Sequence, residues 1–356
     1  MPQTLPKRKA GQKIRTKKSD TFPLKNSKSG SSSDDPDFSV IASFLENTTV
    51  VEKVSLLDKT KKCIVIVGPT AVGKTTTAIG VAQHFKTEII SADSRQCFKE
   101  LSIGVARPSK QELSLVQHHF IASHSIHEEV NAAVYEDYAL QKINTIFTKN
   151  DVAVLAGGTG LYVKAFCEGM DDVPEVNPAI RETIVTNYNN NGIEWLRDQV
   201  KQHDHHYFIK GEIFNPQRMM RALEVKLSTN KSILKYQTNI KKQRPYEIIK
   251  IGIELPRPAL IERINKRVDM MVDEGLVDEV KGLLPYRDLN ALQTVGYKEI
   301  FDYLDGHSSF AEAIAAIKIS TRQYAKRQMT WFKKDEETRW FAPDPELILK
   351  EIKKGL

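Results

Sequence analysis

The sequence predicts an α/β protein with a parallel sheet core, an α-helical insertion and a helical C-terminal part. Three observations carry this. From Lys61 to about residue 174, short apolar runs alternate with helical stretches, the pattern of a parallel sheet covered by helices on both faces. A glycine-rich turn, Gly68-Pro-Thr-Ala-Val-Gly73-Lys74-Thr75, follows the first run and opens the first helix. Residues 175–247 then carry helical patterns and little strand signal before an apolar run returns.

Taken in order, residues 1–37 are basic, then rich in Ser, Gly and Asp, and are expected to be disordered. Such a tail reads as a solubilising leader, a nucleic-acid-attracting arm or a mitochondrial presequence. Residues 38–60 suggest a short helical lead-in. "CIVIVG" reads as a buried strand, Thr75 to Phe85 as a helix and "TEIISA" as a second strand. A helix at 134–148 precedes the strand "DVAVLAGG" at 151–158. After the insertion, "IIKIGIEL" (248–255) is a strand and "RPALIERINKRVDMMVDEG" a long helix. The rest, to Lys334, is mostly helical. The division is a tail at 1–37, a first core segment at 38–174, an insertion at 175–247, a second core segment at 248–341 and a C-terminal tail at 342–356.

Of 356 residues, 40% are apolar, enough for one large domain or two smaller ones. No run of 18 apolar residues appears, so a membrane span is not expected, and no secretory leader is recognisable. Three widely spaced cysteines, Cys63, Cys97 and Cys167, suit a reducing compartment and offer no zinc or disulfide framework. The net charge of +7 is uneven: residues 1–30 hold nine Lys/Arg and one acid, a charge of +8, leaving −1 for the rest. A nucleic-acid surface on the folded part must therefore be a local patch.

Gly68 to Thr75 fits G-x-x-x-x-G-K-[ST] completely, between a strand and a helix. The sheet core is therefore P-loop NTPase-like. In the loop Gly68, Pro69, Thr70, Ala71, Val72 and Gly73, every backbone amide except that of Pro69, which has no N–H, can donate to phosphate oxygens; Lys74 adds a cation and Thr75 offers a hydroxyl to Mg²⁺. A hydrolase of this kind usually ends a later apolar strand in a metal-holding acid. Here "VAVLA" ends in Gly157-Gly158-Thr159-Gly160, and the acid, Asp93, ends the preceding strand in "IISADSRQ". Ligands bind beyond the carboxyl ends of such strands, so Lys74, Asp93 and Thr159 should meet in one crevice. A carboxylate there suits group transfer to a nucleophile whose proton it accepts.

The motifs "GPTAVGKT", "SADSRQ", "HHF", "GGTGLY", "NPQRMMRALEV", "LQTVGYKE" and "TRQYAKRQMTWF" occur in this order. Together, over about residues 61–341, they resemble the tRNA dimethylallyltransferases (tRNA isopentenyltransferases) of bacterial type. The resemblance implies that the phosphate loop holds the diphosphate of dimethylallyl diphosphate. It further implies that the dimethylallyl group passes to N6 of the adenosine 3′ of the anticodon in tRNA. Asp93 is then the proton acceptor, Lys74 and Mg²⁺ at Thr75 stabilise the leaving diphosphate, and Thr159 orients the reacting groups. Asp93, Ser94, Arg95, Gln96 and Thr159 are expected against the target nucleotide, which must be splayed from the anticodon stack. Arg181, Gln217, Arg218, Arg221 and Gln293 are expected to contact the anticodon stem-loop. So are Lys326, Arg327 and Gln328, in a segment from Ser320 to Lys334 that holds five basic residues, no acid, and the aromatics Tyr324 and Trp331. The same segment reads alternatively as an amphipathic helix packing Tyr324, Met329 and Trp331.

The sequence departs from the family in Asn215, where Asp is frequent before Pro, and in Cys97, where a bulkier apolar residue is common. With three cysteines in the sequence, the C-terminal zinc finger of many eukaryotic relatives is not expected. A cytoplasmic, monomeric enzyme is expected, free of membrane. The histidine-rich "QHHFIASHSIH" and "HDHH" have no clear ligand spacing. Three alternatives stand beside this reading: prenyl transfer to free AMP, ADP or ATP, a small-molecule P-loop kinase, and a non-catalytic RNA-binding protein.

Overall fold

The computed structural model describes residues 60–238 and 240–354. The basic tail, and the helical lead-in save Thr60, lie outside the described residues. Strand β1 (Lys62–Val67) is central in a sheet with β2 (Ile89–Ser91), β3 (His118–His119), β4 (Val152–Gly157), β5 (Glu247–Ile253) and β6 (Arg339–Phe341). The order is β3-β2-β4-β1-β5-β6, and every neighbouring pair is parallel.

Because side chains alternate across a strand, β1 feeds two cores. Cys63, Val65 and Val67 face α3 (Ala132–Phe147), α4 (Gly160–Glu168), α10 (Tyr297–Leu304) and α11 (Phe310–Phe332). Ile64 and Ile66 face α1 (Lys74–His84) and α12 (Pro345–Lys354). Burial on both faces is why β1 reads as a continuous apolar run. The remaining core helices are α2 (Lys110–Leu115), α8 (Arg257–Asp273) and α9 (Leu276–Gly282).

Two edges of this core differ from the sequence reading. The segment 342–356, read as a tail, carries α12, whose Ile348 and Ile352 are fully buried one turn apart against α1. Strands β3 and β6 were not expected. Each has three residues or fewer and gains its place from a neighbouring strand, not from its own apolar content.

The insertion consists of α5 (Pro178–His203), α6 (His205–Lys210) and α7 (Pro216–Thr229) around its own core of Ile184, Leu196, Val200, Met219 and Leu223. Its N-caps are Asn177, Asp204 and Asn215, each accepting from a backbone amide of the following turn. Asn215, one of the noted departures, is thus a capping residue. The two connections to the core are joined by Thr238 Oγ1 donating to Asp171 (2.8 Å) and Lys242 N donating to Glu168 O (2.7 Å). A buried pair, Arg244 with Glu136 at 2.8 Å, fixes the exit.

Candidate active site

The phosphate loop leaves β1 at Val67 and enters α1 at Lys74. Gly73 sits at φ 107°, a left-handed conformation that glycine adopts without penalty. The loop is braced from two helices. On α11, buried Gln328 accepts from Thr70 N (2.8 Å) and donates to Gly158 O (2.9 Å), tying the loop to the turn after β4. A methyl group added at Gly158 would collide with Gln328, and one at Gly160 with Trp331. On α8, Arg263 Nη1 donates to Val72 O (3.3 Å) and Arg267 Nη1 to Thr70 Oγ1 (3.4 Å).

Lys74 Nζ donates to Pro69 O at 2.7 Å. Burial, reinforced by Arg267 and opposed by Asp93, pulls Lys74 down to about 7. An anion settling in the loop restores that proton, so its binding above pH ~7 takes one up. We expect calorimetry of inorganic diphosphate binding, in buffers of different ionisation enthalpy, to show proton uptake at pH ~8 that Lys74→Met abolishes. Equal uptake in the two proteins would contradict a depressed Lys74.

Asp93 lies two residues past β2. Its Oδ1 accepts from the amides of Arg95 (2.9 Å) and Gln96 (3.2 Å), which fixes the carboxylate and leaves Oδ2 for another partner. Thr159 caps the turn after β4. Its Oγ1 accepts from Ser94 N (3.0 Å) and donates to Ser94 Oγ (3.3 Å), and Tyr324 stands close by. Burial and then the Asp93 charge push Tyr324 up to about 12, so its phenol keeps its proton at neutral pH. The adjacency of β2 and β4 is what brings Asp93 and Thr159 together.

Two clefts meet here. The first, about 720 Å³, is lined by the phosphate loop from Thr70 to Thr75, Asp93, Arg267 and an apolar wall including Ile103, Val105 and Met271. The second, about 460 Å³, is lined by Asp93, Ser94, Arg95, Gln293, Lys298 and Arg327, among others. Thr70, Asp93, Val105, Ala106, Arg267, Met271 and Tyr324 line both. The wall between them is the segment 102–108, whose Val105 and Ala106 carbonyls accept from Gln96 Nε2 (3.3 and 2.9 Å). That segment hangs on one carboxylate: Glu279 accepts from the amides of Ser102, Ile103 and Gly104 (3.0, 2.8 and 3.0 Å) and from Tyr297 Oη (2.6 Å).

The crevice thus gathers Lys74, Thr75, Asp93, Ser94, Arg95, Gln96, Gln293 and Arg327, with Thr159 held behind Ser94 and lining neither cleft. Gly68 and Pro69 lead into it from β1. Arg95 Nη1 is spent on Asn290 O (2.8 Å) and Gln293 Nε2 on Arg287 O (2.7 Å). Arg181, Gln217, Arg218 and Arg221 are not part of it: they sit on the insertion, Gln217 and Arg218 exposed, Arg181 paired with Glu129 (3.4 Å) and Arg221 with Glu224 (3.5 Å). Lys326 is exposed on α11 and lines neither cleft. Gln328 departs from the expected RNA contact, because the face of α11 that carries it is the buried one. Arg263, Arg267, Lys298 and Glu279 escaped the sequence reading. The i, i+4 arginines of "ERINKR", on the helix after β5, and the lysine inside "LQTVGYKE" were the available signals.

Among the oxygens that line the first cleft are the Thr75 hydroxyl, at the start of α1, and the Asp93 carboxylate, and no group of three or more His, Cys, Asp or Glu among the described residues could hold a metal. This set fits Mg²⁺ arriving with a phosphate ligand, which keeps its waters and needs few protein oxygens. His118 and His119 are engaged with Val116 O (2.8 Å) and Glu88 (2.5 Å), and the "HDHH" histidines are exposed. The three thiols are buried and held in the protonated form by burial. Among the described residues no helix is long and apolar enough to cross a membrane.

The family model for IPP transferase matches residues 96–335. A tRNA dimethylallyltransferase of Christiangramia forsetii is 46% identical over 279 residues, 78% of this chain and 92% of that protein. One from Flavobacterium johnsoniae is 47% identical over 287 residues, 79% and 93% of the two chains. Among solved structures, the full-length tRNA isopentenylpyrophosphate transferase of Bacillus halodurans superposes with a TM-score of 0.60 at 36% identity, covering 82% of this chain and 94% of its own. A eukaryotic dimethylallyltransferase acting on tRNA gives 0.64 at 25% identity, covering 76% and 70%. With the phosphate loop, the carboxylate after β2 and the two joined clefts in the expected fold, the chain belongs to the tRNA dimethylallyltransferase (IPP transferase) family.

Proposed function

We propose that this chain transfers the dimethylallyl group of dimethylallyl diphosphate to N6 of the adenosine 3′ of the anticodon in tRNA and releases diphosphate. The observation that carries the reading is that a phosphate-loop cleft and a second, basic-rimmed cleft meet at one carboxylate, Asp93. A donor and an acceptor entering from different mouths can react only where the mouths join.

The residues divide the work. The loop amides and Lys74 hold the diphosphate, and Arg267 adds a cation over Thr70. As the C1–O bond breaks, negative charge gathers on the departing diphosphate, where these donors are already aimed. Mg²⁺, held by the Thr75 hydroxyl and the diphosphate, would neutralise part of that charge when bound. On the acceptor side the exocyclic amine of adenine is a weak nucleophile, because its lone pair is delocalised. Asp93, fixed through Oδ1, turns its other oxygen to that amine and accepts the proton as the N6–C1 bond forms. Tyr324 lines both clefts beside it, and Thr159 supports Ser94 from behind. Arg95, Lys298 and Arg327 surround the second mouth with positive charge suited to nucleotide phosphates.

The test offers the protein radiolabelled dimethylallyl diphosphate and Mg²⁺ with unmodified tRNA, or with AMP, ADP or ATP. Label in tRNA alone supports the reading. Label in free nucleotide alone keeps the Asp93 and Lys74 chemistry and removes the tRNA contacts, and no label in any acceptor overturns the reading.

The exposed arginines of the insertion supply a separate check. Gln217, Arg218 and Arg221, with Arg181, form the part of the RNA surface outside the crevice. Arg218→Gln with Arg221→Gln is expected to weaken tRNA binding and to reduce the slope of log affinity against log salt by up to about 1–2. Unchanged affinity and slope would remove the insertion from the RNA surface.

A further inference from the structure

The apolar tail of the donor needs an apolar wall where the two clefts join. Of the seven residues that line both clefts, only two are aliphatic and larger than alanine: Val105 and Met271. Val105 belongs to the dividing wall, and its carbonyl is pinned by Gln96. It is short and rigid and forms a side of the junction. Met271 comes from α8, four residues beyond Arg267, so the two side chains share one helix face.

The spacing of that pair matches the donor. Arg267 reaches the phosphate loop at Thr70 Oγ1, and Met271 stands about 6 Å further along the helix axis. A dimethylallyl group spans about 5 Å from its ester oxygen to its methyls, a few bonds of roughly 1.5 Å each. With the diphosphate in the loop, the branched end of a five-carbon chain arrives at Met271. We propose that Met271 closes the far end of the prenyl site and sets the donor's length at five carbons. The inference rests on the transferase reading above.

The residue type suits the task. Methionine is unbranched and adaptable, so it closes around a small branched hydrocarbon, and its thioether is soft and polarisable beside a carbon that becomes electron-poor. Beyond it on the same helix Glu274 lines only the first cleft. Space therefore continues past the methionine, and the limit on chain length is the side chain and not the end of the cavity. Met271→Ala removes the three non-hydrogen atoms past Cβ and opens the site toward that space. Balance is the same for a ten-carbon donor: N6 bonds to C1, C1–O breaks, diphosphate leaves with the electron pair and the N6 proton passes to Asp93.

The experiment measures kcat/KM for geranyl and dimethylallyl diphosphate with tRNA as acceptor and Mg²⁺ present. The wild type, Met271→Ala, Met271→Phe and Met270→Ala are compared. The ratio of ten-carbon to five-carbon efficiency is expected to rise by about tenfold or more in Met271→Ala. It is expected to stay within about twofold in Met270→Ala, whose side chain is half exposed and lines only the first cleft. Met271→Phe is expected to lower five-carbon efficiency about tenfold or more with inorganic diphosphate affinity little changed. Should Met271→Ala fail to fold, Met271→Val takes its place with a smaller rise in the ratio. A ratio equal to wild type in a folded, active variant overturns the proposal. A wild type that prenylates no tRNA, yet binds diphosphate, overturns the transferase reading instead.

Discussion

Asp93→Asn lowers the single-turnover rate of prenyl transfer by about 10²–10⁴-fold, the usual contribution of a positioned general base. The substitution keeps the shape of the side chain. Asparagine can still accept from the amides of Arg95 and Gln96 through its carbonyl oxygen, so the turn after β2 persists. What it cannot do is take the proton from N6. Its free end becomes a donor aimed at an amine that is itself a donor. tRNA affinity, measured by filter binding at fixed salt, is expected to change by less than about threefold, well under one hydrogen bond to a charged group. A variant that turns over at the wild-type rate ends the proton-acceptor role. A variant that loses tRNA binding and transfer together makes Asp93 a binding residue only.

Lys74→Met removes the cation that faces the departing diphosphate, and kcat is expected to fall about 10²–10³-fold, the size seen when one donor to a developing anion is deleted. Its stability should move the other way. The native pKa of Lys74, about 7, lies below its usual 10.5. The unfolded chain therefore binds more protons between those values, and wild-type stability rises with pH across that window. Methionine carries no such cost. The variant is expected to melt at or above the wild-type temperature at pH ~6, with the gap closing toward pH ~10. Lost activity joined to gained stability marks a group kept for chemistry and not for the fold. A variant both inactive and less stable at pH ~6 would make Lys74 a structural residue.

How far the sequence reached depends on the range of the interaction concerned. The phosphate loop was legible because its geometry is local: glycines at fixed offsets between an apolar strand and a helix. β4 and β5 were legible because burial on both faces writes itself as an unbroken apolar run. β3 carries two half-buried histidines and β6 three residues after a charged turn, and neither holds any pattern of its own. α12 did carry a signal, since Ile348 and Ile352 repeat at helical spacing. Gln328 was misread for another reason. A basic helix with interleaved aromatics fits both RNA and core packing, and only the tertiary structure tells which face meets the phosphate loop. Arg267 and Met271 depend on the placing of α8 beside the sheet, which no local pattern encodes.

In the proposed mechanism the two clefts deliver a prenyl donor and a tRNA adenosine to one carboxylate. The most direct test is to run the transfer with labelled dimethylallyl diphosphate on an anticodon stem-loop, then digest the RNA and locate the label. Label is expected on N6 of the adenosine immediately 3′ of the anticodon, and none when that base is replaced by guanosine. Label on another nucleotide, or release of diphosphate with no label in the RNA, would contradict it.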